Sequence, residues 1–392
     1  MAKVRILHTA DNHLDPKLGI YGNKAYERKA DFLRSFEFIV KYALENRPDI
    51  ILISGDLFDS VNPRNPARTQ VIRALKSLAN NGIKIFAIVG NHDAPKSREE
   101  GASPLHEIEA TGYITFFAGP NRPGVEHVKI RDIDVCVSGI SYDHTLDYDK
   151  DPIEYYNIRL PTEGDVNIAM LHYNFESFII PDLWKAPKVR VKDIPKDLDY
   201  LALGHLHKYQ IVEINKTLVV NPGSTERRSF AEEGDEKKGF VWVEISDDGS
   251  RKVDFIEVPS RPMKTISVAL DSSVRDPVGK VVEHAVSLEN RNLILRIRIN
   301  GKLPLDKLTL YRRSDVLARL QERFFYVIVD DRELEYLHES VEPLGEIWLG
   351  PKEAFRKHIE ADLKKATDDK SKEVLRRALK YGLEALDEVG AW

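Results

Sequence analysis

Apolar positions along the chain follow two rhythms, and the change between them marks out its elements. Short, mainly apolar runs at 4–9, where the end turns polar, and at 50–54 and 83–89 predict buried strands. Between them, apolar residues return with the helical period of about 3.6 residues. Over 26–46, Phe32, Leu33, Phe36, Ile39, Val40, Ala43 and Leu44 share one face. Asn65-Pro66 predicts an N-cap followed by proline at the first helical position. That helix runs to about Asn80 with Val71, Ile72, Leu75, Leu78 and Ala79 inward, and Asn81-Gly82 closes it. Strands separated by helices predict parallel pairing through right-handed crossovers.

From about Tyr113 the pattern turns richer in strands. Residues 127–130 and 133–140 read as a hairpin across Arg131-Asp132, and 166–172 and 200–204 as further apolar strands. Residues 209–220 and 239–245 flank a loop containing Asn221-Pro222-Gly223-Ser224. A second sheet is expected. Pro259-Ser260-Arg261-Pro262 predicts a boundary. Beyond it, strand 265–270, helix 277–288, strand 293–299, helix 314–324 and strand 325–329 outline a small α+β module. A second shift falls near Pro343, and 351–386 reads as two charged helices. The expected domains are 1–260, 261–340 and 341–392.

Composition narrows the class. At 392 residues, 42% hydrophobic and 31% charged, the chain is no disordered, collagenous or disulfide-rich protein. Its one cysteine, Cys136, allows no intrachain disulfide and disfavours a cysteine-based zinc site. No apolar run approaches the roughly 18 residues of a membrane span. The single cysteine makes a cytoplasmic setting the expectation, and the opening residues 1–8, polar too soon for a signal peptide, read as the first strand. The net charge of −5 gives no global pull toward nucleic acid, so any DNA contact must rest on local basic patches.

Five short polar motifs each follow an apolar strand: Asp11-Asn12-His13, Gly55-Asp56-Leu57-Phe58-Asp59, Gly90-Asn91-His92-Asp93, Leu171-His172 and Gly204-His205-Leu206-His207. In open α/β sheets ligands bind at the carboxyl ends of strands. Taken singly, each motif is a turn or a core histidine. Together they hold five of the twelve histidines, in a consistent place. Mixed carboxylate, amide and imidazole donors suit Mn²⁺, Fe²⁺ or Zn²⁺ in a catalytic site. Five converging segments offer more ligands than one tetrahedral ion needs, which predicts a two-metal site for phosphoryl chemistry, with Asp56 as the bridging carboxylate. The remaining histidines, at 8, 106, 127, 144, 284, 338 and 358, are left as surface or core residues.

The motif set resembles the calcineurin-like metallophosphoesterases, and more closely the SbcD and Mre-eleven nucleases of double-strand-break repair. The segments HTADNHL, GDLFD, VGNHD, MLH, LGHLH and NPGSTERRSF carry the likeness, over about residues 4–245. It implies an α/β fold: a two-sheet metallophosphoesterase core with an α+β capping domain and a C-terminal helical segment. Two divalent ions, taken as Mn²⁺, would be held by Asp11, His13, Asp56 and His207 and by Asp56, Asn91, His172 and His205. His92 would face the scissile phosphate, and Asp93 would orient it. One departure stands out: many relatives end the second motif with His, where this chain has Asp59, so that histidine's role is not transferred.

The same resemblance implies DNA as substrate. It also implies a homodimer through the helix near 65–80 and a coiled-coil ABC ATPase of the SbcC type docked on the C-terminal helices. Residues 296–323 carry eight Lys/Arg, including Arg296, Arg298, Arg312 and Arg313, against three Asp/Glu. That excess could meet phosphates, or be a solvated face. Arg227 and Arg228, beside Pro222-Gly223, are further candidate phosphate contacts or part of a turn. In the tail, Val374, Leu375, Leu379, Leu383 and Leu386 could form a docking stripe or fold back on the domain. The expected function is a metal-dependent, nucleoid-associated DNA exonuclease and structure-dependent endonuclease that processes broken ends. The alternative is a small-molecule phosphodiesterase or phosphatase on the same core, since both need every metal residue.

Overall fold

The computed structural model describes residues 2–181, 184–234, 237–336 and 350–388. It divides into two compact units, Met1–Leu303 with Thr309–Glu335, and Pro304–Leu308 with Tyr336–Trp392. The shift expected near Pro343 and the boundary at 340 lie outside the described residues.

The first unit is built on two six-stranded sheets. Its strands are β1 (Lys3–Thr9), β2 (Ile50–Ser54), β3 (Lys84–Ile88), β4 (Thr115–Phe116), β5 (Gly124–Ile130), β6 (Ile133–Gly139), β7 (Val166–Leu171), β8 (Asn174–Phe175), β9 (Lys188–Val189), β10 (Tyr200–Leu203), β11 (Gln210–Ile214), β12 (Thr217–Asn221), β13 (Gly239–Ser246) and β14 (Arg251–Glu257). One sheet runs β14-β13-β1-β2-β3-β4 and the other β11-β12-β10-β7-β6-β5. The expected parallel pairing holds for β1 with β2 and for β2 with β3. β13 closes on β1 antiparallel.

Strand alternation explains the layering. In β1 and β2, Leu7, Ile51 and Ile53 face helices α1 (Ala25–Asn46) and α2 (Asn65–Asn80). Ile6, Ile50 and Leu52 face the other way, where they meet Val135, Ile168, Met170 and Val220 of the second sheet. The far face of that sheet is covered by Tyr173, Phe175, Val189 and Leu198. A strand buried on both faces needs an unbroken apolar run, and all five residues of β2 are buried.

Several details differ from expectation: the run expected over 209–220 is two antiparallel strands, β11 and β12, and the short β4, β8 and β9 were not foreseen. Asn65 is the first helical residue of α2, with Arg64 as N-cap and Pro66 one position later; proline still falls within the first turn, where it removes no helical hydrogen bond. β14 was not anticipated, because its charged residues break up the apolar run. It pairs with β13 alone, at the sheet edge.

Residues beyond 262 form a separate three-stranded sheet, β15 (Met263–Leu270), β16 (Asn290–Leu303) and β17 (Phe324–Tyr336), with helices Pro277–Val286 and Arg313–Leu320. This is the expected α+β module. It is tied to the core by Arg261, which pairs with Asp31 of α1 at 2.6 Å and lies over the Phe325 ring. In the second unit, helices Pro351–Lys365 and Asp369–Glu388 pack on each other at Phe355 and Gly382. Leu375, Leu379, Leu383 and Leu386 are half-buried there, while Val374 is exposed.

Candidate metal centre

The carboxyl ends of β1, β2, β3, β7 and β10 deliver the five motifs to one place. Asp11, His13, Asp56 and His172 are buried there, and Gly90, Asn91, His205 and His207 close the cluster. The backbone is bent hard to do this. Asp11, His13, Asp56 and His205 all have positive φ, at 51°, 46°, 51° and 87°. Such conformations cost a non-glycine residue of order 1 kcal/mol or more and persist where the surroundings enforce them. Here Asp11 N–H donates to Gly55 C=O and His13 N–H to Asp56 C=O, stitching two strand ends together. Glycines permit the close approach: a Cβ on Gly90 would stand 2.3 Å from Asp56 Oδ1, and one on Gly204 2.1 Å from Ser54 O.

Two donor groups result. His13 Nε2 and His207 Nε2 face each other at 2.9 Å, with Asp11 Oδ1 about 4.0 and 3.9 Å away. Two nitrogens roughly 2.1 Å from a common ion and about 90° apart would have a separation of this size. On the other side, His172 Nε2 lies 3.4 Å from Asp56 Oδ2 and 3.8 Å from Asp11 Oδ1, yet makes no hydrogen bond. Its Nδ1 donates to Ser54 C=O at 2.7 Å, which aims the buried Nε2, without a hydrogen bond, at the two carboxylates. Asn91 Oδ1 and His205 Nδ1 meet at 3.0 Å beside it. The cluster can hold two metal ions: three-residue donor sets Asp11-His13-His207 and Asp11-Asp56-His172 each converge within 4.8 Å.

The local field is that of a cation site. Burial pushes the Asp11 carboxyl up to about 6, against the pull of His172. Burial alone would lower His172, but Asp56 and Asp11 outweigh it and lift the ring to about 9. His205, with less compensation, is pressed by burial down to about 3.

The calcineurin-like phosphoesterase domain profile matches residues 4–209, which span all five motifs. The chain belongs to the calcineurin-like phosphoesterase family. Within it, the chain is 29% identical over 309 residues to the DNA double-strand break repair protein Mre11 of Aeropyrum pernix, covering 75% of this chain and 69% of that one. The Sulfurisphaera tokodaii protein of the same name is 28% identical, covering 77% and 75%. That of Methanococcus maripaludis is 28% identical over 358 residues, covering 86% and 90%.

Around this phosphoesterase centre the structure adds residues that the sequence did not single out. Glu232 Oε1 sits 3.0 Å from His207 Nδ1, and its Oε2 accepts from Lys238 Nζ at 2.7 Å. Lys238, almost wholly buried, also donates to His207 C=O and Ser224 Oγ. Burial works against the Glu232 charge, but His207 and Lys238 hold it well below the usual carboxylate range. A carboxylate behind a metal-binding imidazole fixes its tautomer and orientation. Only the sequence neighbourhood of Ser224 pointed here, and a glutamate and a lysine are otherwise ordinary surface residues.

His92 lines a cavity of about 380 Å³ with Asp56, Asn91, Trp184, His205 and His207. Burial lowers its ring to about 4. The implied pairing with Asp93 is not what the side chains make. Asp93 is buried, and its carboxylate accepts from Gly90 N–H at 2.8 Å and Phe58 N–H at 3.3 Å, bracing the turn. The carboxylate facing His92 Nδ1 belongs to Asp59, at 3.7 Å.

The candidate DNA contacts divide. Arg227 points inward, bonding Ser260 Oγ and Gly234 C=O, and is 7% exposed, so it braces the loop. Arg296 is half-buried over the Phe230 ring, with Glu233 at 3.6 Å. Arg298, Arg312 and Arg313 are exposed. Arg228 enters the cavity wall beside His92.

Proposed function

We propose that this chain is a metal-dependent DNA nuclease, with exonuclease and structure-dependent endonuclease activity, that processes ends in double-strand-break repair. The reading is carried by a two-ion donor cluster opening on a cavity in a chain whose relatives are named double-strand break repair proteins. Asp11, His13, Asp56 and His207 would hold one ion, and Asp56, Asn91, His172 and His205 the other, Mn²⁺ being the expected metal. Bound there, the ions would supply a nucleophile at neutral pH and neutralise the phosphoryl oxygens.

The protein's own residues do the rest. Asp56 Oδ1 accepts the His92 N–H at 2.7 Å, which sets His92 one residue from the donor cluster. From there its imidazole would hand a proton to the departing oxygen. Glu232 and Lys238 keep His207 from turning. Exposed Arg298, Arg312 and Arg313 on the α+β module would meet the DNA backbone without reading sequence. A second copy of the chain through α2, and a coiled-coil ATPase on the C-terminal helices, complete the proposed assembly. Among the described residues no helix is long and apolar enough to cross a membrane.

The test is digestion of 5′- and 3′-labelled duplex DNA with Mn²⁺, Mg²⁺ or EDTA, beside bis-(p-nitrophenyl) phosphate. Mn²⁺-dependent shortening that is lost in His92→Asn, with metal still bound, is the expected result. Turnover of the small diester with DNA untouched, even with the ATPase partner added, would replace the nuclease by a small-substrate phosphodiesterase.

A further inference from the structure

Arg228 is the cation nearest to His92 in the cavity wall, and its surroundings are built rather than incidental. Its Nε forms an ion pair with Asp59 Oδ1 at 2.7 Å. Its two terminal nitrogens lie 3.3 Å from His92 Nε2 and 3.5 Å from His92 Nδ1, so the guanidinium fork lies along the imidazole ring. Its backbone N–H donates to Glu232, the same carboxylate that backs His207. Asp59 is itself fixed, 3.3 Å from His13 Nδ1, with its other oxygen accepting from Lys17 N–H. The loop carrying Arg228 and the second motif are thus locked together around His92.

Counting donors gives the function. A guanidinium fork carries more N–H donors than one carboxylate and one imidazole can accept. His92 Nδ1 lies 3.2 Å from Asp59 C=O, so the ring offers Arg228 at most one lone pair, at Nε2, and none once it is protonated for its proposed acid role; at least one terminal group is left for another acceptor. The remaining N–H groups sit on a side chain that is 34% exposed and lines the cavity. Two phosphoryl oxygens are what such a planar fork matches best. Position decides which phosphate. Arg228 reaches Asp56 through a single intervening residue, His92, whose N–H bonds Asp56 Oδ1. An arginine on the outer basic patch could meet any phosphate of a strand; this one is confined to the phosphate under attack.

We propose that Arg228 is a catalytic residue that grips a non-bridging oxygen of the scissile phosphate and stabilises the charge it gains, and that Asp59 is the residue that positions it. The proposal rests on the phosphodiester-hydrolysing reading of the site and does not require DNA to be the substrate. It introduces no new bond: the guanidinium donates hydrogen bonds throughout, and the leaving-group proton remains the business of His92. Asp59 thereby gains a role of its own, as the anchor for a cation delivered by another loop.

The experiment compares wild type with Arg228→Ala, Arg228→Lys, Asp59→Asn and the Arg228→Ala/Asp59→Asn double variant. Each is assayed with Mn²⁺ on bis-(p-nitrophenyl) phosphate and on labelled duplex DNA. Calorimetry gives the affinity of each for Mn²⁺ and, once loaded, for inorganic phosphate; thermal melting checks that each folds. Loss of one charge-stabilising donor should lower kcat about 10²-fold. That loss should be equal on both substrates in Arg228→Ala, with phosphate bound at least several-fold more weakly and Mn²⁺ affinity unchanged. Arg228→Lys should recover only part of the rate, because an ammonium lacks the fork. The double variant should fall no further than Arg228→Ala, since the two residues act as one unit. A defect on DNA alone, with the small diester and phosphate binding untouched, would overturn the proposal and make Arg228 an ordinary backbone contact. Equal loss of Mn²⁺ and phosphate binding would overturn it in favour of a structural role. If the wild type leaves DNA intact, the nuclease reading fails, while the small-diester and phosphate arms still decide the case for Arg228.

Discussion

Two buried polar clusters share the loop after β12 and are built on opposite principles. In the first, Arg28 of α1 pairs with Asp31 at 2.7 Å and Glu226 at 3.2 Å, and Arg261 pairs with Asp31 from the other side. Each charge has an opposite charge beside it, and α1 is regular helix. In the second, only six residues further along the loop, Glu232 backs a group of carboxylates and imidazoles that point at one another. Lone pairs face lone pairs, His172 and His205 each leave Nε2 without a hydrogen bond, and four donor residues have left-handed backbone. The first arrangement balances its charges, although Arg28 Nε makes no hydrogen bond. The second joins several unpaired donor atoms to left-handed backbone at one spot, and it is that combination, more than polarity or a single unpaired atom, that marks a binding site.

The contrast can be broken from either side. Asp56→Asn removes the carboxylate proposed to serve both ions. It should cost hydrolysis on the order of 10⁴-fold, and the rise in melting temperature on adding Mn²⁺ should vanish; a persisting shift would show that the cluster holds its ions without Asp56. Arg28→Ala should do the opposite, leaving Mn²⁺ binding in place while lowering stability by about 3 kcal/mol in urea unfolding, because it takes the cation from the buried Glu226 while Asp31 keeps Arg261. Glu232→Gln keeps the shape but weakens the grip on His207; Mn²⁺ affinity measured by calorimetry should fall about 10–100-fold.

The smallest effect is the response to acid. Burial alone would raise Asp31, but the hydrogen bonds from Arg261 and Arg28 hold it below the ordinary carboxylate range. A depressed carboxyl stabilises the fold above its unfolded pKa of about 3.9 and gives that up as pH falls through the folded value. The urea midpoint of the apo protein should therefore drop below about pH 4, and Asp31→Asn should start lower and drop less.

Much of the site was legible along the chain because it follows from local rules. A strand buried on both faces is an apolar run, its end is the first place a polar side chain can stand, and five such ends carried Asp, Asn and His. His8 shows the limit of that logic. It belongs to β1 just before the first motif, yet it is a neutral core residue bonded to Tyr200 OH at 2.8 Å, its charge suppressed by burial.

Other parts could not be read that way. Asp59 and Arg228 are 169 positions apart in the numbering, and Glu232 and Lys238 are six apart, all of residue types that usually face water. Arg227 and Arg228 are identical neighbours, and only the path of the loop sends one into the structure and the other into the cavity. The sequence by itself determined the strands, the helices and the metal-binding chemistry, because these depend on periodicity and donor type within a few residues. The tertiary structure alone decided which charges are paired, which imidazole each carboxylate faces and which arginine lines the cavity, because those depend on distances between segments that no local pattern encodes.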